Sequence, residues 1–110
     1  MRAMIVFFLL AVLSANPLAG EIKGAGGSTC GAWLQYRKSN DYASELNWIQ
    51  GFISSYNQFV YSGPNPNGIF GSADYRSIAV WMDNYCMTHP LESVYRGTLE
   101  LVEELKQRAH

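Results

Sequence analysis

The stretch YASELNWIQGFISSYNQFVY, residues 42–61, sets the expectation for the fold. It contains no proline, and its apolar residues recur in steps of three and four: Leu46, Ile49, Phe52, Ile53, Tyr56, Phe59 and Val60. This spacing predicts an amphipathic helix, because a strand would repeat at every second residue. Gly51 lies inside it, where glycine costs about 1 kcal/mol relative to alanine, and we interpret it as a position of close packing.

A helix with the same kind of spacing is predicted over residues 73–87. Ser72 is placed to cap its start, and Asp74 would complement the positive end of the helix dipole in its first turn. The apolar stripe of this helix consists of Tyr75, Ile78, Ala79, Met82, Tyr85 and Cys86. We therefore expect Cys86 on the buried side.

Two shorter patterns complete the predicted fold. Ser28 or Thr29 can cap a first helix, whose buried side would carry Cys30, Trp33, Leu34 and Arg37. A last helix is expected from Pro90 to about Lys106, with an apolar stripe of Leu91, Val94, Tyr95, Leu99, Val102 and Leu105. Its solvated side would carry two ion pairs, Glu92 with Arg96 and Glu104 with Arg108. These patterns predict an all-α, four-helix bundle-like single domain.

The first twenty residues are typical of a secretory signal peptide. Arg2 precedes an apolar run at 4–13, and small residues follow at 14–20. The run is too short for a retained membrane anchor, which takes roughly 20 residues. We expect cleavage near residues 19–20, a flexible leader at 21–28, a helical domain at 29–110, and an exported protein without stable membrane insertion.

Both cysteines, Cys30 and Cys86, follow the predicted signal peptide. An even number of cysteines in an exported chain indicates a disulfide. Because both fall on apolar stripes, the bond should tie the first predicted helix to the third inside the core. A zinc site would need both cysteines together with His89 and His110, and we expect no metal and no cofactor.

The segment SGPNPNGIFGS, residues 62–72, is predicted to be a long loop because prolines and glycines interrupt helices. Ile69 and Phe70 either fold back onto the core or form an exposed recognition tip. Tyrosines near the loop either border the core or contact a partner, since tyrosine is favoured at protein interfaces. The candidate partner-binding residues are Tyr61, Asn65, Asn67, Ile69, Phe70 and Tyr75.

The usual sequence patterns of catalysis are missing. His89 has no evident nucleophile beside it, since the cysteines are expected in the disulfide and no Gly-x-Ser-x-Gly occurs. Asp74 and Asp83 would lie on opposite sides of one helix. The net charge is −1 and the basic residues are scattered, which predicts no nucleic-acid surface. We therefore expect a non-enzymatic protein that binds another protein.

Three segments carry a resemblance to known exported bacterial proteins: TCGAW at 29–33, WIQGFIS at 48–54, and IAVWMDNYC at 78–86 followed by HPL at 89–91. The chain resembles the Rap/Tai immunity proteins of type VI secretion and, more distantly, the HdeA/HdeB acid-stress chaperones. The similarity rests on the cysteine, Trp-x-x-Gly and Trp-x-Asp-x-x-Cys spacings and extends over about residues 29–105.

The resemblance implies a periplasmic four-helix protein, often a homodimer, that blocks a peptidoglycan amidase by occupying its cleft. The segment that could enter such a cleft is residues 63–71. The alternative that the resemblance implies is a chaperone that loosens in acid, when protonated carboxylates leave the chain strongly positive. A third alternative is another periplasmic binding role.

Overall fold

The computed structural model describes residues 20–109, which form four helices. Helix α1 spans Cys30–Lys38, α2 spans Ala43–Phe59, α3 spans Tyr75–Thr88 and α4 spans Val94–Arg108. A short 3-10 helix at Ala25–Gly27 precedes α1, and the described residues contain no strand beyond an isolated bridge between Thr29 and Ser93. The predicted all-α, bundle-like fold is confirmed. The predicted signal peptide lies, apart from Gly20, outside the described residues.

The core is formed by the inner faces of all four helices. Trp33 of α1, Ile49 of α2 and Met82 of α3 are completely buried, as is Val94 at the start of α4. Cys30 and Cys86 form a disulfide with Cα atoms 4.9 Å apart, and neither residue is exposed. The predicted covalent tie between α1 and α3 inside the core is confirmed.

The starts of two helices differ from the sequence-based prediction. Asp74, not Ser72, caps α3: its carboxylate accepts the Ser77 backbone N–H at 2.8 Å, and its own N–H donates to the Ser77 hydroxyl. Ser72 lies two residues earlier, in the turn that the Ala73 N–H closes on the Phe70 carbonyl, and so precedes the helix start. A reciprocal pair of this kind satisfies two unpaired backbone donors.

Helix α4 begins four residues after the predicted Pro90. The Ser93 hydroxyl accepts the Arg96 N–H at 3.1 Å and caps the helix. The Val94 N–H donates to the Ser28 carbonyl at 2.8 Å, which holds the chain before α4 extended against the segment before α1. Leu91 is consequently outside the helix and 97% exposed, so its predicted place on the apolar stripe is wrong.

The segment predicted as a flexible leader is packed against the bundle from Lys23 onward. The Trp48 indole donates to the Lys23 carbonyl at 2.9 Å, and Gly26 is buried so tightly under the same ring that a Cβ atom there would overlap it. The Ser28 hydroxyl donates to the buried Glu45 carboxylate at 3.0 Å. Glycine suggested flexibility from sequence alone, whereas here it permits the backbone to approach the indole.

The prediction that Gly51 is a position of close packing is wrong. A Cβ atom at this position would have no neighbour within 4 Å, and the residue is exposed. The close approach in the bundle is instead at Gly97 of α4, where a Cβ would lie 2.6 Å from Met82 Sδ and 2.8 Å from Tyr85 Cδ2. Gly97 therefore allows α3 and α4 to pack closely.

No helix within residues 20–109 has both the length and the apolar character that crossing a membrane requires.

Candidate partner-binding loop and groove

The loop between α2 and α3 is held in one conformation by Asn57 of α2. The Asn57 carboxamide accepts the Ile69 N–H at 2.9 Å and donates to the Asn67 carbonyl at 3.2 Å. Gly68 lies between these contacts with φ of 60°, and a Cβ atom there would overlap the Asn57 amide. Only glycine combines that backbone conformation with so close an approach.

Further contacts anchor the beginning and the middle of the loop. The hydroxyl of half-buried Tyr61 accepts the Asn65 N–H at 3.1 Å, and the Asn65 carboxamide donates to the Ala109 carbonyl at 3.3 Å. Ile69 is only 2% exposed and inserts into the core. Of the two alternatives for this part of the loop, folding back onto the core is therefore the one observed.

The anchored loop stands between two depressions of the surface. The larger is a groove of about 630 Å³ between the loop, α3 and the end of α4. The smaller is a hollow of about 320 Å³ on the α2 side, beside Gln50. Asn67, Phe70 and Gly71 border both depressions, and we call these three residues the loop ridge.

Trp81 of α3 forms part of the groove wall and has a defined orientation. Its indole N–H donates to the Glu104 carboxylate at 3.0 Å, and Glu104 also forms an ion pair with Arg108. Tyr85 stacks nearly parallel to Trp81 with ring centroids 5.7 Å apart, and His89 stacks on Tyr85 at 4.2 Å. The indole is thus fixed at its edge and on one face.

The Tyr85 ring stacks on both Trp81 and His89, and its surroundings shift the pKa of its phenol. Burial is the main cause that raises the pKa of Tyr85, and the nearby carboxylates of Glu92 and Glu100 raise it further. The ring therefore stays neutral, and continues to support Trp81, over an extended range of alkaline pH.

The structure brings four of the six predicted partner-binding residues to the groove. Asn65, Asn67, Ile69 and Phe70 all line it. The side chain of Ile69 is buried, however, which corrects its prediction as an exposed contact, and Phe70 is only half exposed. Tyr61 supports the loop from beneath, and Tyr75 is 42% exposed on α3 outside the groove lining.

Several residues of the groove were not predicted from sequence. Trp81 and Asn84 of α3 form one wall, and Glu104 and Arg108 of α4 contribute its charges. The sequence does predict the Glu104–Arg108 ion pair, and the structure confirms it. That this pair meets Trp81 depends on how α3 packs on α4, which the spacing along one helix does not show.

Charged groups elsewhere in the described residues do not form a metal centre. No group of three or more His, Cys, Asp or Glu side chains within residues 20–109 is close enough to hold a metal ion. The carboxylates of Glu45, Asp83 and Glu104 accept instead from hydroxyl, indole and guanidinium donors.

The fold and the site together define a disulfide-tied helical domain with a rigid loop beside a groove. Comparison with known protein families, with characterised proteins and with solved structures gives no match to this chain.

Proposed function

We propose that this protein is a non-enzymatic protein-binding protein of the periplasm, and that it acts as an immunity protein by blocking a cell-wall amidase. The loop ridge is the contact that we propose for the amidase cleft. The observation that carries this proposal is the anchoring of the ridge: Asn57 holds its backbone from one side, and Ile69 fixes it to the core.

A rigid ridge suits inhibition because little conformational freedom remains to be lost when it binds. Asn67 and Gly71 are exposed on it, and Phe70 adds a half-exposed aromatic ring between the two depressions. An aromatic residue flanked by polar groups is a frequent composition at protein interfaces. The buried disulfide supports the proposed location, since such bonds persist in oxidising compartments.

The test is inhibition of a purified peptidoglycan amidase effector from the same bacterium. We expect binding with a dissociation constant in the nanomolar range, about −12 kcal/mol. Asn67→Lys should weaken inhibition at least about tenfold, because an additional charge must then be buried against the partner. Asn47→Lys introduces the same side chain at an exposed position of α2 and is the control. Full amidase activity in the presence of excess protein would refute the proposal.

An acid-stress chaperone is the second candidate, and a specific observation favours it. Several side-chain ties between elements depend on a carboxylate: Asp83 of α3 accepts from Arg37 and Trp33 of α1, and Glu104 of α4 accepts from Trp81 of α3. Glu45 likewise accepts from Ser28. Protonation in strong acid would remove the charge from each tie and loosen the packing.

Loosened packing would then expose more apolar surface, to which unfolded proteins can bind. Phe59 and Val60 at the end of α2 are already 87% and 61% exposed. The chaperone proposal predicts that the protein suppresses the aggregation of a client at about pH 2–3 but not at pH 7. Equal effects at both values, or none at either, would exclude it.

A further inference from the structure

The groove has a feature that the loop ridge does not explain, namely an indole with one face covered and the other turned to the lining. Tyr85 stacks on Trp81 at an interplanar angle of 8°, and the hydrogen bond to Glu104 fixes the edge of the ring. Tyr85 follows Trp81 by one helical turn and does not line the groove, whereas Ser77, one turn before Trp81, does. The uncovered face of Trp81 therefore belongs to the groove.

The charge of the groove limits what it can bind. Among residues 20–109, its charged lining residues are Glu104 and Arg108, and these two are paired with each other. The described lining consequently has no net charge, so it provides no excess of positive charge for a phosphate or a nucleic acid, and no excess of negative charge for a polycation. A neutral ligand fits this balance best.

The polar groups of the lining suit a ligand rich in hydroxyls. Asn67 on the loop and Asn84 on α3 are exposed, and neither carboxamide makes a hydrogen bond with another described residue. A carboxamide both donates and accepts hydrogen bonds, as a hydroxyl does. Two such groups in one groove therefore offer donors and acceptors to a hydroxylated ligand.

The apolar part of the groove is shallow. Its floor residues Ile69, Ile78 and Leu101 are 2%, 1% and 3% exposed, so their side chains leave no deep pocket for an apolar anchor of a peptide. The accessible apolar surface is provided by the partly exposed rings of Trp81 and Phe70 and by Val80, which is 47% exposed. A flat aromatic surface with polar groups at its margins favours the apolar face of a sugar ring over a peptide side chain.

We infer that this groove binds a neutral glycan segment, with one sugar ring stacked on the uncovered face of Trp81 and its hydroxyls bonded by Asn67 and Asn84. The rigid support of Trp81 contributes because the indole needs no reorientation on binding. The inference does not rest on the proposed amidase contact: Asn67 belongs to both sites, but Trp81 and Asn84 lie outside the loop ridge.

The experiment is a titration of the ¹⁵N-labelled protein with chitotriose, cellotriose and maltotriose, observed by NMR. The chain has three tryptophans, so there are few indole N–H signals. The signal that disappears in the Trp81→Phe variant is that of Trp81. We expect at least one trisaccharide, at up to about 10 mM, to shift the Trp81 indole and the Asn84 carboxamide signals. The signals of Trp33 and Trp48, which lie elsewhere, should not move.

Two variants separate binding from folding. Asn84→Ala removes an exposed side chain that is not bonded within the described structure, and it should weaken binding at least about threefold without changing the melting temperature. Tyr75→Ala removes an exposed aromatic ring outside the groove and should leave binding unchanged.

Absence of shifts with all three sugars would overturn the inference. Shifts that Asn84→Ala leaves intact would also overturn it. The same holds if a neutral peptide such as acetyl-Ala-Leu-Ala-Phe-Ala-amide moves these signals and the sugars do not. In each case the amidase test keeps its own outcome, because the glycan titration relies on Trp81 and Asn84, which lie outside the loop ridge.

Discussion

Arg37 of α1 and Asp83 of α3 form a bidentate ion pair between the two helices that the disulfide joins. The guanidinium donates from Nη2 at 2.7 Å and from Nε at 2.9 Å to the two carboxylate oxygens. The same carboxylate accepts the indole N–H of Trp33, a completely buried residue, at 2.9 Å. The hydrogen bond to Asp83 is the main reason that the pKa of Arg37 is raised, so this cation stays charged at all ordinary pH values.

Asp83→Ala should lower the free energy of unfolding by about 2 kcal/mol, because it leaves a buried indole N–H and a partly buried guanidinium without their acceptor. Asp83→Asn keeps one carbonyl oxygen and should lose less. Urea denaturation measures both. Glu103→Ala removes an exposed carboxylate from a surface pair with Lys106 and is the control, with an expected change below about 0.5 kcal/mol. Equal losses for Asp83→Ala and Glu103→Ala would contradict the structural role of the Asp83 contact.

Removal of the disulfide should lower stability by about 2–5 kcal/mol, since the bond links residues 56 positions apart and constrains the unfolded chain. Cys30→Ala and Cys86→Ala should each show this loss in thermal melts under non-reducing conditions. The native protein should melt at a lower temperature when reductant is added. The double variant Cys30→Ala/Cys86→Ala should not respond to reductant. A native melting temperature that is the same with and without complete reduction would disprove the contribution.

Gly97→Ala and Gly51→Ala should change stability in opposite directions, although both glycines lie inside helices. At Gly97 the new methyl group would overlap Met82 and Tyr85, and we expect a loss of about 1–3 kcal/mol. At Gly51 it would meet nothing within 4 Å, so the higher helix propensity of alanine should stabilise the protein by about 0.5–1 kcal/mol. Melting temperatures of the two variants provide the measurement. A gain at Gly97 would mean that α3 and α4 are less tightly packed than described.

The Asp74 cap should make the stability of α3 depend on acidity. Hydrogen bonds from Ser77 lower the pKa of Asp74 below its ordinary value of 3.8. Its contribution is therefore complete above pH 3.8 and is lost as the pH falls through the lowered pKa of the folded state. Asp74→Asn keeps a neutral cap, so the advantage of the native protein over this variant should disappear in acid.

Urea midpoints of the native protein and the Asp74→Asn variant, measured from pH 7 to about 2, test this dependence. Asp41→Asn alters an exposed carboxylate that caps no helix and serves for comparison. If the difference in stability between the native protein and Asp74→Asn grows toward acid, the predicted direction of the pH dependence is wrong.

The helices could be predicted because their information is local. The recurrence of apolar residues around Ile49 and Met82 shows which side of each helix is buried, and the cysteines at Cys30 and Cys86 fall on those sides. Helix starts are harder to predict, because Ser72 and Asp74 are both good caps in isolation. The choice between them depends on a turn made by Phe70 and Ala73, which the sequence pattern does not show.

The glycines show a similar division. From sequence alone, Gly26 and Gly51 could each lie in a flexible or in a packed segment. The predicted flexible leader places Gly26 in the first class and it is packed, whereas Gly51 is predicted to be packed and has no neighbour. Their surroundings differ because Trp48 reaches back from α2 to cover the segment before α1, while no element passes over Gly51. Only the packing of distant segments distinguishes the two cases.

The sequence by itself determined an all-α chain, a covalent tie between its first and third helices, and a loop rich in proline and glycine between α2 and α3. The period of the apolar residues predicts the helices, proline and glycine predict the loop, and the tie follows because the chain has two cysteines, both on apolar stripes. The tertiary structure alone decided that Asn57 shapes the loop, that Ile69 is buried, and that Trp81 meets Glu104 in the wall of a groove. These contacts join residues from separate helices and loops, and their geometry arises only when the helices pack around one core.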